Sequence, residues 1–249
     1  MKRVKLVVAY DGTNYCGWQV QKNGETIESV LNRAIGELTG EEIHVMGSSR
    51  TDAGVHACGN VAVFDTEARM AADKFSYALN QRLPEDIRIQ DSCEVLADFH
   101  PRFQKTVKTY EYRILNREFP LPAYRFNSHF TYRKLDVERM RQAAAYLIGE
   151  HDFQSFCAAG AQVKTTVRTI YALDVEKQGD LIILRITGNG FLYNMVRIIA
   201  GTLMKIGQGD WEPECIPEIL AGCDRQLAGP TAPARGLTLM EIHFKGEKG

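Results

Sequence analysis

The chain has no cysteine cluster, no long apolar run, no phosphate-binding glycine loop and almost no net charge, and each absence narrows what it can be. Its six cysteines (Cys16, Cys58, Cys93, Cys157, Cys215, Cys223) are scattered without a C-x-x-C pair. That excludes the clustered spacing of zinc sites and disulfide frameworks and favours reduced, structural thiols. The histidines (His44, His56, His100, His129, His151, His243) form neither an H-x-x-x-H nor an H-E-x-x-H pair, so no metal site is expected. No G-x-x-x-x-G-K-[ST] sequence occurs, which removes a P-loop. No run approaches membrane-spanning length. The segment Met1 to Asp11 is basic and then apolar, but its apolar part is too short for a signal peptide and no small-residue cleavage site follows. A cytoplasmic chain is expected. Ordinary apolar and charged fractions, 45% and 24%, exclude disorder and low complexity.

A net charge of −1 is unusual for a nucleic-acid binder, but its distribution is uneven. Residues 1–98 carry ten basic and fifteen acidic side chains, a balance of −5. Residues 99–143 carry ten basic (Arg102, Lys105, Lys108, Arg113, Arg117, Arg125, Arg133, Lys134, Arg139, Arg141) and four acidic, a balance of +6, and the remainder stands at −2. A basic block in a neutral chain has the signature of a local phosphate-binding surface. A solvated face with counter-charges nearby has the same composition.

At 249 residues the chain can be one large or two small domains. Residues 3–10 read as a strand. Ile27, Val30, Leu31, Ala34, Ile35 and Leu38 follow helical spacing, with Gly40 as the stop. Residues 43–46 and 60–64 read as strands, 73–82 as a helix, and 87–89 and 93–96 as short strands. The pattern then begins again. Residues 106–115 form a long strand with Tyr110 and Tyr112 on one face, and 137–148 an amphipathic helix. Residues 165–176 and 181–187 form a hairpin across Lys177-Gln178-Gly179-Asp180. Residues 191–206 form a mostly apolar helix and 237–244 the last strand. Each half thus interleaves strands with two helices, without a residue-level repeat. The expected class is α+β: two similar subdomains, 1–103 and 104–249, sharing a continuous, mainly antiparallel sheet, with helices on one side and a central cleft. The junction at 99–105 is short and not linker-like.

The segment Gly47-Ser48-Ser49-Arg50-Thr51-Asp52-Ala53-Gly54-Val55-His56-Ala57 sets one carboxylate two residues after a guanidinium, between strand-like runs. Loops fixed by rigid strands are where catalytic groups concentrate. Asp52-Ala53-Gly54 is also a good turn in its own right, Asp capping amides and Gly supplying φ > 0. His56 beside it reads either as a base or as a satisfied packing residue. Asp11-Gly12-Thr13-Asn14 is superficially like the loop of aspartyl-phosphate phosphatases. That chemistry needs a second Asp two residues away, where Ala9 and Thr13 stand, so it is set aside.

Tyr10-Asp11-Gly12-Thr13-Asn14-Tyr15-Cys16-Gly17-Trp18-Gln19-x-Gln21 and Arg50-Thr51-Asp52-Ala53-Gly54-Val55-His56-Ala57 open a series of five blocks. Lys108-Thr109-Tyr110-Glu111-Tyr112, Gly190-Phe191-Leu192-Tyr193-Asn194-Met195-Val196-Arg197 and Ala232-Pro233-Ala234-Arg235-Gly236-Leu237-Thr238-Leu239 follow. Together, in order and over nearly the whole chain, they resemble the tRNA pseudouridine synthase A family. Two departures flank the central motif: Ser49 where Gly commonly precedes the arginine, and Asn60 where Gln is usual.

The resemblance implies an RNA-modifying isomerase, which detaches uridine at N1, rotates the base and rejoins it through C5 without cofactor or metal. Its substrates would be uridines of the tRNA anticodon stem-loop, at positions 38–40, bound by a homodimer with no membrane involvement. By resemblance Asp52 is the nucleophile or charge partner, and attack at C1′, addition at C6 and a glycal route all stay open. Arg197 matches the basic residue that keeps this carboxylate ionised. A helix-surface arginine is the alternative, disfavoured by the apolar residues around it. Tyr110 matches the tyrosine that contacts the extruded base, and the register of the motif, not the strand pattern, selects it over Tyr112. Arg50 matches a residue that fills the space left by the flipped nucleotide and touches phosphate. Leu237 matches the apolar residue packed against the base. For Tyr110 and Leu237, core packing is the competing role.

Two rivals are weighed. A catalytically silent tRNA-binding or tRNA-folding protein of the same fold is disfavoured because Asp52, Tyr110 and Arg197 are all present. A nucleoside or glycoside hydrolase needs a second carboxylate, and no motif supplies one.

Overall fold

The computed structural model describes residues 1–160 and 163–244. In chain order the elements are β1 (Lys2–Tyr10), α1 (Ile27–Thr39), β2 (Met46–Gly47), β3 (His56–Thr66), α2 (Phe75–Asn80), β4 (Ile87–Val95), β5 (Thr106–Asn116), β6 (His129–Thr131), α3 (Val137–Ala145), β7 (Gly149–Asp152), β8 (Val167–Gln178), β9 (Leu181–Gly188), α4 (Met195–Gly207), α5 (Cys215–Gly222) and β10 (Leu237–Phe244). Two units emerge. One holds Met1–Lys105 with the stretch from Leu239 onward, the other Thr106–Thr238. Strands paired mainly antiparallel, with helices, give the α+β class expected from the sequence.

In the first unit the strand order is β4-β1-β3-β10, with β2 paired to β3. Strand β1 alternates strictly, and Val4, Leu6, Val8 and Tyr10 are buried on one face. Each aliphatic chain so buried contributes up to about 1.5–3 kcal/mol. Antiparallel pairing sets Leu6 opposite Ala62 and Val8 opposite Asn60, after which a bulge shifts Tyr10 to Ala57. Helix α1 begins at a capping box, in which Thr26 and Ser29 bond each other's amides. It ends at Gly40, whose φ of 75° favours glycine.

In the second unit the order is β5-β9-β8-β7, with β6 parallel to β5. Strands β8 and β9 make the expected hairpin, with Gly179 at φ 62° in its turn. Tyr110 and Tyr112 stand opposite Ile186 and Leu184 of β9. Helix α4 is buried over nearly its whole length. A Cβ at its Gly201 would lie 1.8 Å from the Pro230 carbonyl oxygen, so only glycine lets the 230–232 segment rest on the helix backbone.

Four expectations need correction. Residues 43–46 are mostly not strand: Ile43 and Val45 are buried, but the Val45 amide donates to the Asn32 side chain of α1 at 2.8 Å. Residues 87–95 form one continuous strand, because β4 ends the strand order and tolerates exposed Gln90 and Asp91 in its middle. The apolar helix starts at Met195, four residues late, since Asn194 takes φ 60° and cannot sit inside a helix. The second half holds a third helix, α5. Its Pro217 lies in the first turn, where no amide partner is needed.

Candidate active site

Asp52 sits half-buried in the loop between β2 and β3, and Arg50 two residues earlier is exposed. The turn at Asp52-Ala53-Gly54 is closed by backbone: the Val55 amide donates to the Asp52 carbonyl at 3.1 Å, with Gly54 at φ 77°. A turn closed by this backbone bond is compatible with a loop that carries a catalytic group.

Residues 11–18 hold this loop from one side. The Trp18 amide donates to the Thr51 carbonyl at 3.0 Å and the Gly54 amide to the Tyr15 carbonyl at 3.4 Å. Two glycines make the approach possible. A Cβ at Gly12 would meet the Val55 carbonyl oxygen at 2.0 Å, and one at Gly17 (φ 88°) would meet the Thr51 carbonyl oxygen at 2.7 Å. Gly47 likewise leaves room for the fully buried Trp18 ring, 2.3 Å from where its Cβ would stand. The Tyr10 and Thr51 hydroxyls bond at 2.7 Å. The loop is a rigid part laid on a second rigid part, as positioning a reacting carboxylate requires.

The two departures from the family pattern meet each other. The Asn60 side chain donates to the Ser49 carbonyl at 3.0 Å and accepts from the Ser49 amide at 3.3 Å, and it donates to Tyr10 as well. All of these groups are buried, so the pair satisfies polar atoms that would otherwise cost stability.

His56 packs against residues 11–12. It is buried, and its Nδ1 lies 3.1 Å from the Gly12 amide and 3.0 Å from the Asp11 carboxylate. The Gly12 amide donates to Nδ1, which orients the ring against residues 11–12. Partial burial opposes ionisation of Asp11. The Thr13 hydroxyl and amide, with His56, outweigh it and hold the carboxyl below its usual range.

In the second unit Tyr110 is buried, 8% exposed, with its ring edge-on to Phe191 at 5.2 Å. Tyr112 is fully buried, and its hydroxyl donates to the Pro233 carbonyl at 2.9 Å. Burial pushes that phenol well up, so it stays protonated, and Tyr112 is the core aromatic of the two. Arg197, in the first turn of α4, donates through Nε to the Ala232 carbonyl at 2.7 Å and through Nη1 to the Asn194 side chain at 2.8 Å. Both bonds help to fix the plane of its guanidinium. Leu237 is buried at the start of β10. Asp52 and Arg50 therefore belong to the first unit, and Tyr110, Arg197 and Leu237 to the second.

The basic block is not a uniform phosphate surface. Arg113, Arg117, Arg133, Arg139 and Arg141 are ion-paired with Glu111, Asp180, Asp210, Glu212 and Glu138. At least half of its ten charges are thus locally neutralised. Among the described residues no helix is long and apolar enough to cross a membrane.

A family model described as tRNA pseudouridine synthase matches residues 6–104 and 143–245. The tRNA pseudouridine synthase A of Brevibacillus brevis is 51% identical over 245 residues, covering 98% of this chain and 100% of the relative. That of Acetivibrio thermocellus is 48% identical over 244 residues, with 98% and 100% covered. A solved structure of an H/ACA RNP bound to a substrate RNA containing 2'-deoxyuridine aligns with 95% of this chain and 45% of its own, at TM-score 0.33 and 13% identity, too distant to bear on function.

Proposed function

This chain belongs to the tRNA pseudouridine synthase family, and we propose that it isomerises uridine to pseudouridine at positions 38–40 of the tRNA anticodon stem-loop with Asp52 as nucleophile. The observation that carries the reading is the aspartate loop itself: a half-buried carboxylate on a backbone-closed turn, clamped by residues 11–18, beside an exposed guanidinium.

A stacked uridine hides its glycosidic bond, so the nucleotide must first leave the helix at a cost of a few kcal/mol. Arg50 offsets part of that cost by filling the vacated space and meeting phosphate. The Asp52 carboxylate then attacks at the sugar–base junction and the N1–C1′ bond breaks. The freed ring rotates and C5 bonds to C1′ as the bond from C1′ to the Asp52 carboxylate breaks and frees it; the C5 proton is lost and N1 gains one. Arg197 keeps the carboxylate ionised against desolvation. The Tyr110 ring packs on the base and its phenol serves proton transfer, with Leu237 on the base's apolar side. Residues 1–103 supply the nucleophile and 104–249 the tyrosine and arginine. The protein works in the cytoplasm as a homodimer with tRNA across both subunits, a reading that rests on the family resemblance.

Position is tested by converting tRNA transcripts whose uridines at 38, 39 and 40 are replaced singly and together by cytidine. Loss of all product in the triple replacement is the expected outcome, and product elsewhere overturns the assignment. Release of free uracil would instead favour a hydrolase.

Tyr110→Phe tests the phenol. The ring stays packed on Phe191, so the melting temperature should hold within a few degrees while kcat falls about 10²-fold or more. Unchanged kcat would reduce Tyr110 to packing. Tyr110→Ala is the poorer variant: the ring is buried, and its removal costs about 3–5 kcal/mol of stability, as for other large aromatics.

A further inference from the structure

Residues 100–103 of the first unit take no part in the chemistry above, yet they are tied to the base of the aspartate loop. The buried Ser48 hydroxyl donates to the Pro101 carbonyl at 2.8 Å, and Arg102 Nε donates to the Gly47 carbonyl at 2.9 Å. Within the turn, the Arg102 amide donates to His100 Nδ1 at 3.2 Å and the Phe103 amide to the His100 carbonyl at 3.2 Å. The His100 and Phe103 rings stack, 4.0 Å between centroids and 23° between planes.

Phe103 is nevertheless 84% exposed. One face of a phenyl ring is therefore held against imidazole while the rest meets water. An apolar ring fixed outward by its neighbours has the form of a stacking platform, because every base presents a π-face to such a surface. Arg102, the residue before it, carries a charge, and Arg50 carries a second that acts on Arg102. Neither Arg50 nor Arg102 is ion-paired among the described residues, and the Arg50 charge bears directly on Arg102. Burial and that neighbour both lower the Arg102 pKa, and Glu28 opposes them. Arg102 keeps its terminal amino groups after Nε is committed to the Gly47 carbonyl, and a phosphate suits two such guanidiniums whose charges act on one another.

We propose that His100, Phe103, Arg102 and Arg50 form a subsite for one unpaired nucleotide next to the target uridine, its base stacked on the outer face of Phe103 and its phosphate held by the two guanidiniums. The subsite rests on the RNA-modifying reading and adds to it a grip on the nucleotide neighbouring the extruded one. That grip holds the strand open while the target base is out of its stack.

The test is a coupling experiment on the full-length protein. Dissociation constants are measured for anticodon stem-loop RNAs carrying an abasic residue on the 5′ or the 3′ side of the target, with wild type, Phe103→Leu and Phe103→Trp. Phe103→Leu should weaken binding of intact RNA about tenfold, and Phe103→Trp should restore it. An abasic residue at one of the two positions should cost wild type a similar factor and cost Phe103→Leu nothing further. Arg102→Gln should lower the slope of log K against log salt by about one. The proposal is overturned if Phe103→Leu binds as wild type does, if the abasic and Phe103 losses multiply at both positions, or if the salt slope is unmoved. The readout is binding, so a wild type that made no pseudouridine would defeat the catalytic reading and leave this test standing.

Discussion

Asp52→Asn is expected to fold, to bind tRNA with near wild-type affinity, and to form pseudouridine about 10⁴-fold more slowly, a loss of about 5 kcal/mol of transition-state stabilisation. The amide is nearly isosteric with the carboxylate but neutral and a poor nucleophile. Because the loop is shaped by backbone bonds from Val55, Trp18 and Gly54, the turn survives the exchange. Stability should change by about 1 kcal/mol, since the exchange keeps the shape of a half-buried side chain and leaves the backbone bonds of the turn in place. A loss confined to kcat, with Kd unchanged, separates a reacting group from a binding one.

Gly12→Ala should damage the same reaction by displacing the loop that carries Asp52. Its Cβ would lie 2.0 Å from the Val55 carbonyl oxygen and 2.7 Å from the carbonyl carbon. Both atoms are backbone, so no rotamer relieves the clash, and the turn bearing Asp52 must move by about 1 Å. A misplacement of that size costs about 10²-fold in rate. Overpacking costs a further 1–3 kcal/mol or so of stability. Gly40→Ala is the matched control. At φ 75° and with nothing near its Cβ, it should lose about 1 kcal/mol or somewhat more of stability and leave turnover alone. Equal losses of rate in the two variants would mean that Gly12 acts through general stability and that the clamp does not position Asp52.

Where local chemistry decided the structure, the sequence was readable. Gly40 ends α1 and Gly179 marks the β8–β9 turn. The aspartate loop stood out as a charged, glycine-containing segment between apolar runs. Non-local partners were not readable. The contact of residues 11–18 with residues 51–55 spans some forty positions, and nothing in Asp11-Gly12-Thr13 says that its glycine is reserved for the Val55 carbonyl. Composition left the basic block open between a phosphate surface and a face with counter-charges, and for Arg117, Arg133 and Arg139 the counter-charges Asp180, Asp210 and Glu212 are remote in sequence. The prolines of 212–222 concealed α5, because only structure shows that Pro217 occupies a first turn. Phe103 gave no signal, since exposure and the stack on His100 are both tertiary facts.

The most direct measurement is a single turnover with enzyme in excess over tRNA, quenched and digested to nucleosides, comparing wild type with Asp52→Asn. The account predicts one pseudouridine formed per uridine consumed, no free uracil, and a rate that collapses in the variant while tRNA stays bound. Equal rates for the two proteins, or uracil released in place of pseudouridine, would contradict it.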